Sequence, residues 1–271
     1  MALIKSISGI RGTIGGKPGE GLSPLDVVKF TAAYGTWLTQ QSDNKKVVIG
    51  RDGRISGEMV KQLVVATLNG LGLDVVDLDL STTPTVEIAV KMENAAGGII
   101  LTASHNPKEW NALKLLNSEG EFISGEEGAL LLDIAAREDF VFADVSKLGT
   151  YRKDNSYLQK HIDLVVNYPL VDVPAIKARN FKVVLDAVNS TGAIFIPALL
   201  KALGVEEVTV LFDEVNGKFS HNPEPLPENL TALSNEVNKA NADLGIAVDP
   251  DVDRLCFVCS VAAWLPTLLI A

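Results

Sequence analysis

Gly98-Ile99-Ile100-Leu101-Thr102-Ala103-Ser104-His105-Asn106-Pro107 runs from an apolar stretch straight into a hydroxyl, an imidazole and an amide. A short apolar run of this kind reads as a buried strand. The proline that closes the stretch stiffens the exit from the loop. An exposed serine just past a strand end is where α/β proteins keep reactive groups. The stretch therefore predicts an α/β fold with its chemistry at the carboxyl end of a strand.

The flanking sequence agrees. Strand-like runs at 46–50 and 74–78 precede this one, with helical patterns between them. One helix starts at Ser23-Pro24, an N-cap followed by a proline at the first helical position, and runs toward 39. Others span 56–70, follow Thr83-Pro84, and cover 126–136. Strands alternating with helices predict a mostly parallel sheet covered on both faces. The stretch 144–154 is polar and irregular, and it places a boundary between units at 1–148 and 149–271. The second unit repeats the pattern, with a helix at 157–166, a strand at 182–186, a helix from Ser190-Thr191-Gly192 to 203, a strand at 208–212, a helix at 228–239 and a strand at 244–248.

That last strand delivers Asp249-Pro250-Asp251-Val252-Asp253-Arg254. Carboxylates at alternate positions turn to one side of an extended segment, and hard oxygen ligands so arranged suit Mg²⁺. Without a cation they would repel one another. A serine able to carry phosphate, with a triad able to hold Mg²⁺, points to phosphoryl transfer.

Composition sets the outer bounds. With 271 residues, 47% of them hydrophobic, the chain can bury a substantial core. Its net charge of −10 argues against nucleic acid and anionic membranes as partners. A phosphate site must then be a local cluster of Arg, Lys and backbone N–H groups. Cys256 and Cys259 read as small apolar residues of a buried strand, since no second CxxC exists to complete a zinc site. The start of the chain lacks a signal-peptide pattern, and the expectation is a cytoplasmic protein.

Taken together, TASHNP, DPDVDR and the opening Ser8-Gly9-Ile10-Arg11-Gly12 resemble the α-D-phosphohexomutases, the superfamily of phosphoglucomutase, phosphomannomutase and phosphoglucosamine mutase. Each motif is weak alone, but all three occur in the family's order and span nearly the whole chain. The resemblance implies an α/β fold of two similar, mixed or mostly parallel α/β sandwich domains, 1–148 with the phosphoserine loop and 149–271 with the Mg²⁺ loop. It makes Ser104 the phosphoserine, and it makes Asp249, Asp251 and Asp253 the Mg²⁺ ligands, completed by an oxygen on Ser104. Arg11 and Arg254 would contact phosphate or substrate. His105 would orient the phosphoserine or assist proton transfer. Lys114 would be the general acid/base, although Ala112 stands where the family commonly has glycine, and alanine tolerates positive φ poorly. The segment Gly50-Arg51-Asp52-Gly53-Arg54 would support the loop, and His221-Asn222-Pro223-Glu224-Pro225 would be a rigid turn without chemistry. The implied reaction moves a phosphoryl group between C1 and C6 of a hexose phosphate through a hexose bisphosphate.

The apolar residues after Cys259 depart from this pattern, since the family continues into two further domains that read the sugar and a distal phosphate. We read the chain as truncated or aberrant after about 259 and expect it to be weak or inactive alone. A bare apolar tail favours a homo-oligomer; as a membrane span it is marginal in length and holds a proline. Two rival readings are a remnant that binds metal or phosphate without turnover, and a haloacid-dehalogenase-type phosphatase. The latter would put its nucleophilic aspartate near the start of its domain, and it leaves TASHNP unexplained.

Overall fold

The computed structural model describes residues 1–6, 9–259 and the backbone of 268–269. Ser8 of the opening motif and most of the apolar tail lie outside the described residues. The first sheet contains β1 (Leu3–Ser6), β2 (Gly9–Thr13), β3 (Lys46–Arg51), β4 (Asp74–Leu80), β5 (Gly97–Leu101), β6 (Trp110–Leu116) and β7 (Tyr151–Lys153), in the order β1-β2-β6-β5-β3-β4-β7. From β5 to β7 neighbouring strands are parallel, whereas β6, β2 and β1 add antiparallel to one edge.

The helices α1 (Pro24–Gln41), α2 (Gly57–Gly70) and α4 (Gly125–Arg137) cover one face, and α3 (Thr83–Met92) covers the other. The period of two along β3 shows why both faces need cover. Val47 and Ile49 join the core with Phe30, Val64 and Leu131, while Val48 points the other way to Val86 and Val90. The start predicted for α1 forms a capping box: the Ser23 side chain accepts from Asp26 N–H, the Asp26 carboxylate accepts from Ser23 N–H, and Pro24 sits in the first turn.

The second unit holds α5 (Tyr157–Val166), α6 (Val173–Ala178), β8 (Lys182–Asp186), α7 (Gly192–Ala202), β9 (Glu207–Leu211), α8 (Thr231–Ala240), β10 (Leu244–Val248) and β11 (Arg254–Val258). Its strands run β11-β10-β8-β9, with β11 antiparallel and paired on its outer side to the backbone of β12 (Leu268–Leu269). Apolar clusters on each face pack against α5 and α7 on one side and α8 on the other.

Four features escaped the sequence reading, one of them the short helix α6. β1, β2 and β6, the antiparallel strands of the first sheet, carry no long apolar run to mark them. The stretch read as irregular at 144–154 contains β7, a three-residue exposed strand that adds to β4. The helix expected from 228 begins as a 3₁₀ turn at Pro227–Asn229 and becomes α-helical only at Thr231. Cys256 is buried in β11, while Cys259 lies just past its end, half-buried. Among the described residues no helix is long and apolar enough to cross a membrane.

Candidate active site

β5 ends at Leu101, and Ser104 follows in the left-handed region at φ 49°. It is not exposed as the sequence suggested, being only 8% accessible. A non-glycine residue held there costs about 1–2 kcal/mol and persists only where its surroundings insist on it. The surroundings are Arg54 and Asp52, both buried. Arg54 donates to the carbonyls of Ser104, Asn106, Pro107 and Trp110 at 2.5, 2.7, 2.7 and 2.9 Å, and to Asp52 Oδ2 at 3.0 Å. Asp52 Oδ2 also accepts from Thr102 Oγ1 at 2.7 Å, and Thr102 Oγ1 accepts Ser104 N–H at 2.9 Å. Burial pushes the Asp52 carboxyl up, against the opposing charge of Arg54. The segment read as support for the loop thus ties the loop's backbone to a buried ion pair.

The aspartates reach the site differently from the expectation of an extended segment. After β10 the chain folds into a turn in which Val252 N–H donates to Asp249 O at 3.1 Å, with Val252 at φ 61°. Asp249 Oδ1 accepts the N–H groups of Asp253 and Arg254, each at 3.1 Å. It is this curl, not strand alternation, that brings one carboxylate oxygen from each aspartate within 4.8 Å of the others. The turn is pinned at Pro250 O, which accepts from Ser190 Oγ at 2.6 Å and Thr191 Oγ1 at 2.8 Å. Ser190 Oγ also accepts Gly53 N–H at 2.9 Å, joining the two units. A Cβ on Gly53 would stand 3.0 Å from Ser190, so any side chain there would press the two segments apart by a few tenths of an ångström.

The two loops meet side chain to side chain. Ser104 Oγ donates to Asp249 Oδ2 at 2.6 Å. Lys114 Nζ donates to Asp251 Oδ2 at 2.8 Å and Asp253 Oδ2 at 2.7 Å. Ala112 raises no conflict with this lysine: it lies in β6 opposite Arg11 and is not among the residues with positive φ. Burial works against the Lys114 charge, but Asp251 and Asp253 outweigh it and hold the amine above its usual range. Asp249 is pushed well up by burial and by its two acidic neighbours. Asp251 is held down despite its burial, chiefly by Lys114.

Between the loops lies a cleft of about 240 Å³, lined by Arg11, Ser104, His105, Lys114, Phe122 and Arg254 among others. Arg11 Nε is buried without a partner among the described residues. His105 Nδ1 is 3.4 Å from Ser104 Oγ, and burial and then the Arg254 charge lower its pKa. Arg254 Nη1 binds Glu224 Oε1 at 2.5 Å. The turn read as having no chemistry therefore supplies the partner of a cleft arginine. Phe122, under Lys114 Nζ at 5.6 Å, and Thr83, bonded to Asp251, were also missed. Their partners lie in other elements, and nothing in their own neighbourhood marks them.

The aspartates fit a hard divalent cation. Asp251 Oδ1 is buried without a hydrogen-bond partner among the described residues. Three clustered carboxylates face a single lysine, and buried charges left uncompensated are costly.

A family model described as phosphoglucomutase/phosphomannomutase, alpha/beta/alpha domain I, matches residues 3–142, and the corresponding domain II model matches 159–261. The chain belongs to this family, within the phosphohexomutase superfamily. It is 38% identical over 251 residues to a phosphoglucomutase/phosphomannomutase of Thermococcus kodakarensis, covering 91% of this chain and 54% of that protein. It is 31% identical over 264 residues to a phosphoglucosamine/phosphogalactosamine mutase of Sulfurisphaera tokodaii, covering 95% and 55%. Among solved structures, a phosphoglucomutase/phosphomannomutase family protein from Burkholderia thailandensis superposes with a TM-score of 0.82 at 28% identity, covering 96% of this chain and 55% of the other. The chain spans about half the length of the curated relatives it matches.

Proposed function

We propose that this chain carries the phosphoryl-donor half of a phosphohexomutase, with the serine in the first unit and the aspartates in the second. The observation that supports this most is the 2.6 Å contact between Ser104 Oγ and Asp249, which joins the serine to the acidic cluster. Phosphorylated Ser104 gives its phosphoryl group to a free hydroxyl of a hexose 1- or 6-phosphate. The Oγ–P bond breaks, a sugar O–P bond forms, the sugar hydroxyl gives its proton to the acid/base, and Ser104 Oγ takes one up. The bisphosphate then returns its other phosphoryl group to Ser104, so that phosphate has moved between C1 and C6.

Asp249, Asp251, Asp253 and an oxygen on Ser104 would hold Mg²⁺, which neutralises charge on the phosphoryl oxygens. Arg11 and Arg254 face the cleft and would bind the substrate's phosphate, while His105, also facing it, would orient the phosphoserine or assist proton transfer. Lys114 is protonated in the arrangement described and suits the acid role. Neutralising Asp251 and Asp253 would remove the cause of its raised pKa and let it serve as base.

Incubation with a labelled hexose 1,6-bisphosphate, followed by mapping of the phosphorylated residue, tests the proposal. Label on Ser104 is expected. Label on an aspartate, or none, counts against it. A second reading, metal and phosphate binding without sugar turnover, is favoured by the match to only about half of each relative. It predicts label on Ser104 that a hexose monophosphate cannot remove.

A further inference from the structure

Helix α3 belongs to the first unit, yet its first turn is committed to the aspartate loop of the second. The first N–H groups of a helix have no partner inside it. In α3, Thr85 N–H is taken by the Thr82 hydroxyl at 3.2 Å, and Pro84 has no N–H to place. Thr83 N–H goes to Asp251 O at 2.8 Å. Its hydroxyl donates to Asp251 Oδ2, the oxygen that also accepts from Lys114. Thr83 is 2% accessible and Asp251 is fully buried, so water does not substitute for these bonds.

The two oxygens of Asp251 are thereby distinguished. Oδ2 is occupied twice, by Thr83 and Lys114. Oδ1 is buried and has no partner among the described residues. A carboxylate held at its backbone carbonyl and at one oxygen cannot rotate to present the other face. The positive end of α3 also favours the ionised form next to it. Bonds behind a metal ligand fix its orientation in this way and are typically worth about 10–100-fold in metal affinity.

We propose that Thr83 is the positioning residue for Asp251, holding Oδ2 so that Oδ1 is presented to a divalent cation. The proposal rests on the metal site assigned above. The same helix turn supplies a control: Thr85 Oγ1 pairs with His161 Nδ1 at 2.8 Å, a contact between the same two units that does not touch the aspartates.

The test is titration calorimetry with Mg²⁺ alone on the purified chain, with thermal unfolding of each variant measured in parallel. Thr83→Val keeps the shape and the backbone N–H but loses the hydroxyl, and it is expected to weaken Mg²⁺ binding about tenfold. Thr83→Ser is expected to stay within about twofold of wild type, and so is Thr85→Val even though its melting temperature falls. Should Thr83→Val not fold, Thr83→Ala takes its place with the same expectations. Equal Mg²⁺ affinity in wild type and Thr83→Val overturns the positioning role and leaves the metal site standing. Equal weakening in the Thr83 and Thr85 variants also overturns it, because the effect then belongs to seating the helix. No Mg²⁺ binding by wild type removes both this inference and the metal site.

Discussion

Ser104 Oγ lies 2.6 Å from Asp249 Oδ2, across 145 residues of sequence and the seam between two sheets. Ser104→Ala is expected to abolish incorporation of label from a hexose bisphosphate while leaving the melting temperature within a few degrees of wild type. The side chain removed is small, and its backbone bonds stay. Undiminished label on the variant, read by autoradiography, would sink the assignment.

Asp251→Asn should lower Mg²⁺ affinity at least about tenfold, since a carboxylate oxygen is replaced by an amide that holds a hard cation poorly. Lys114 loses one of its two acidic partners in the same change, so the amine should titrate lower than in wild type. Calorimetry and lysine NMR read the two effects separately. An unchanged Mg²⁺ isotherm contradicts the first.

Arg54→Lys should cost about 3 kcal/mol, because a buried ammonium cannot satisfy four carbonyls and Asp52 in one plane. Guanidinium unfolding measures the loss. Phosphorylation of Ser104 should slow as well, since the strained loop then has no clamp. Wild-type stability would show that the fork of bonds contributes little.

The pH dependence of stability should carry a signature of His161. Its pKa is depressed from 6.5 to about 4 by burial. Between those values the unfolded chain takes up a proton that the folded chain refuses, so stability present above pH 6.5 is lost as pH falls toward 4. His161→Gln removes that titration and should flatten the profile in this window. Denaturation midpoints at pH 7 and pH 5 give the slopes, and equal slopes for both proteins argue against it.

Much of this was legible in the sequence because it was local. The apolar run ahead of Thr102 marks β5, the Ser23-Pro24 pair marks α1, and the alternate aspartates after β10 mark the acidic cluster. What sequence patterning cannot carry is pairing across distance. Thr83 and Asp251 are 168 residues apart, and Arg254 finds Glu224 through a turn that looked inert. Val252 in a left-handed conformation was also hidden, since a β-branched residue gives no local signal for positive φ. That one dihedral separates a curled loop with converging carboxylates from the extended segment that alternation suggested.

The bridge from Gly53 through Ser190 to Pro250 ties the segment that holds the Ser104 loop to the turn that carries the aspartates. The joint between the units therefore sits beside the contact of Ser104 with Asp249 and holds the same two units together. A rigid-body rotation of one unit against the other cannot open the cleft and keep it intact, because it would part Ser104 from Asp249 as it moved. Separation of the units would accordingly break the Ser104–Asp249 contact and the Gly53–Ser190–Pro250 bridge together.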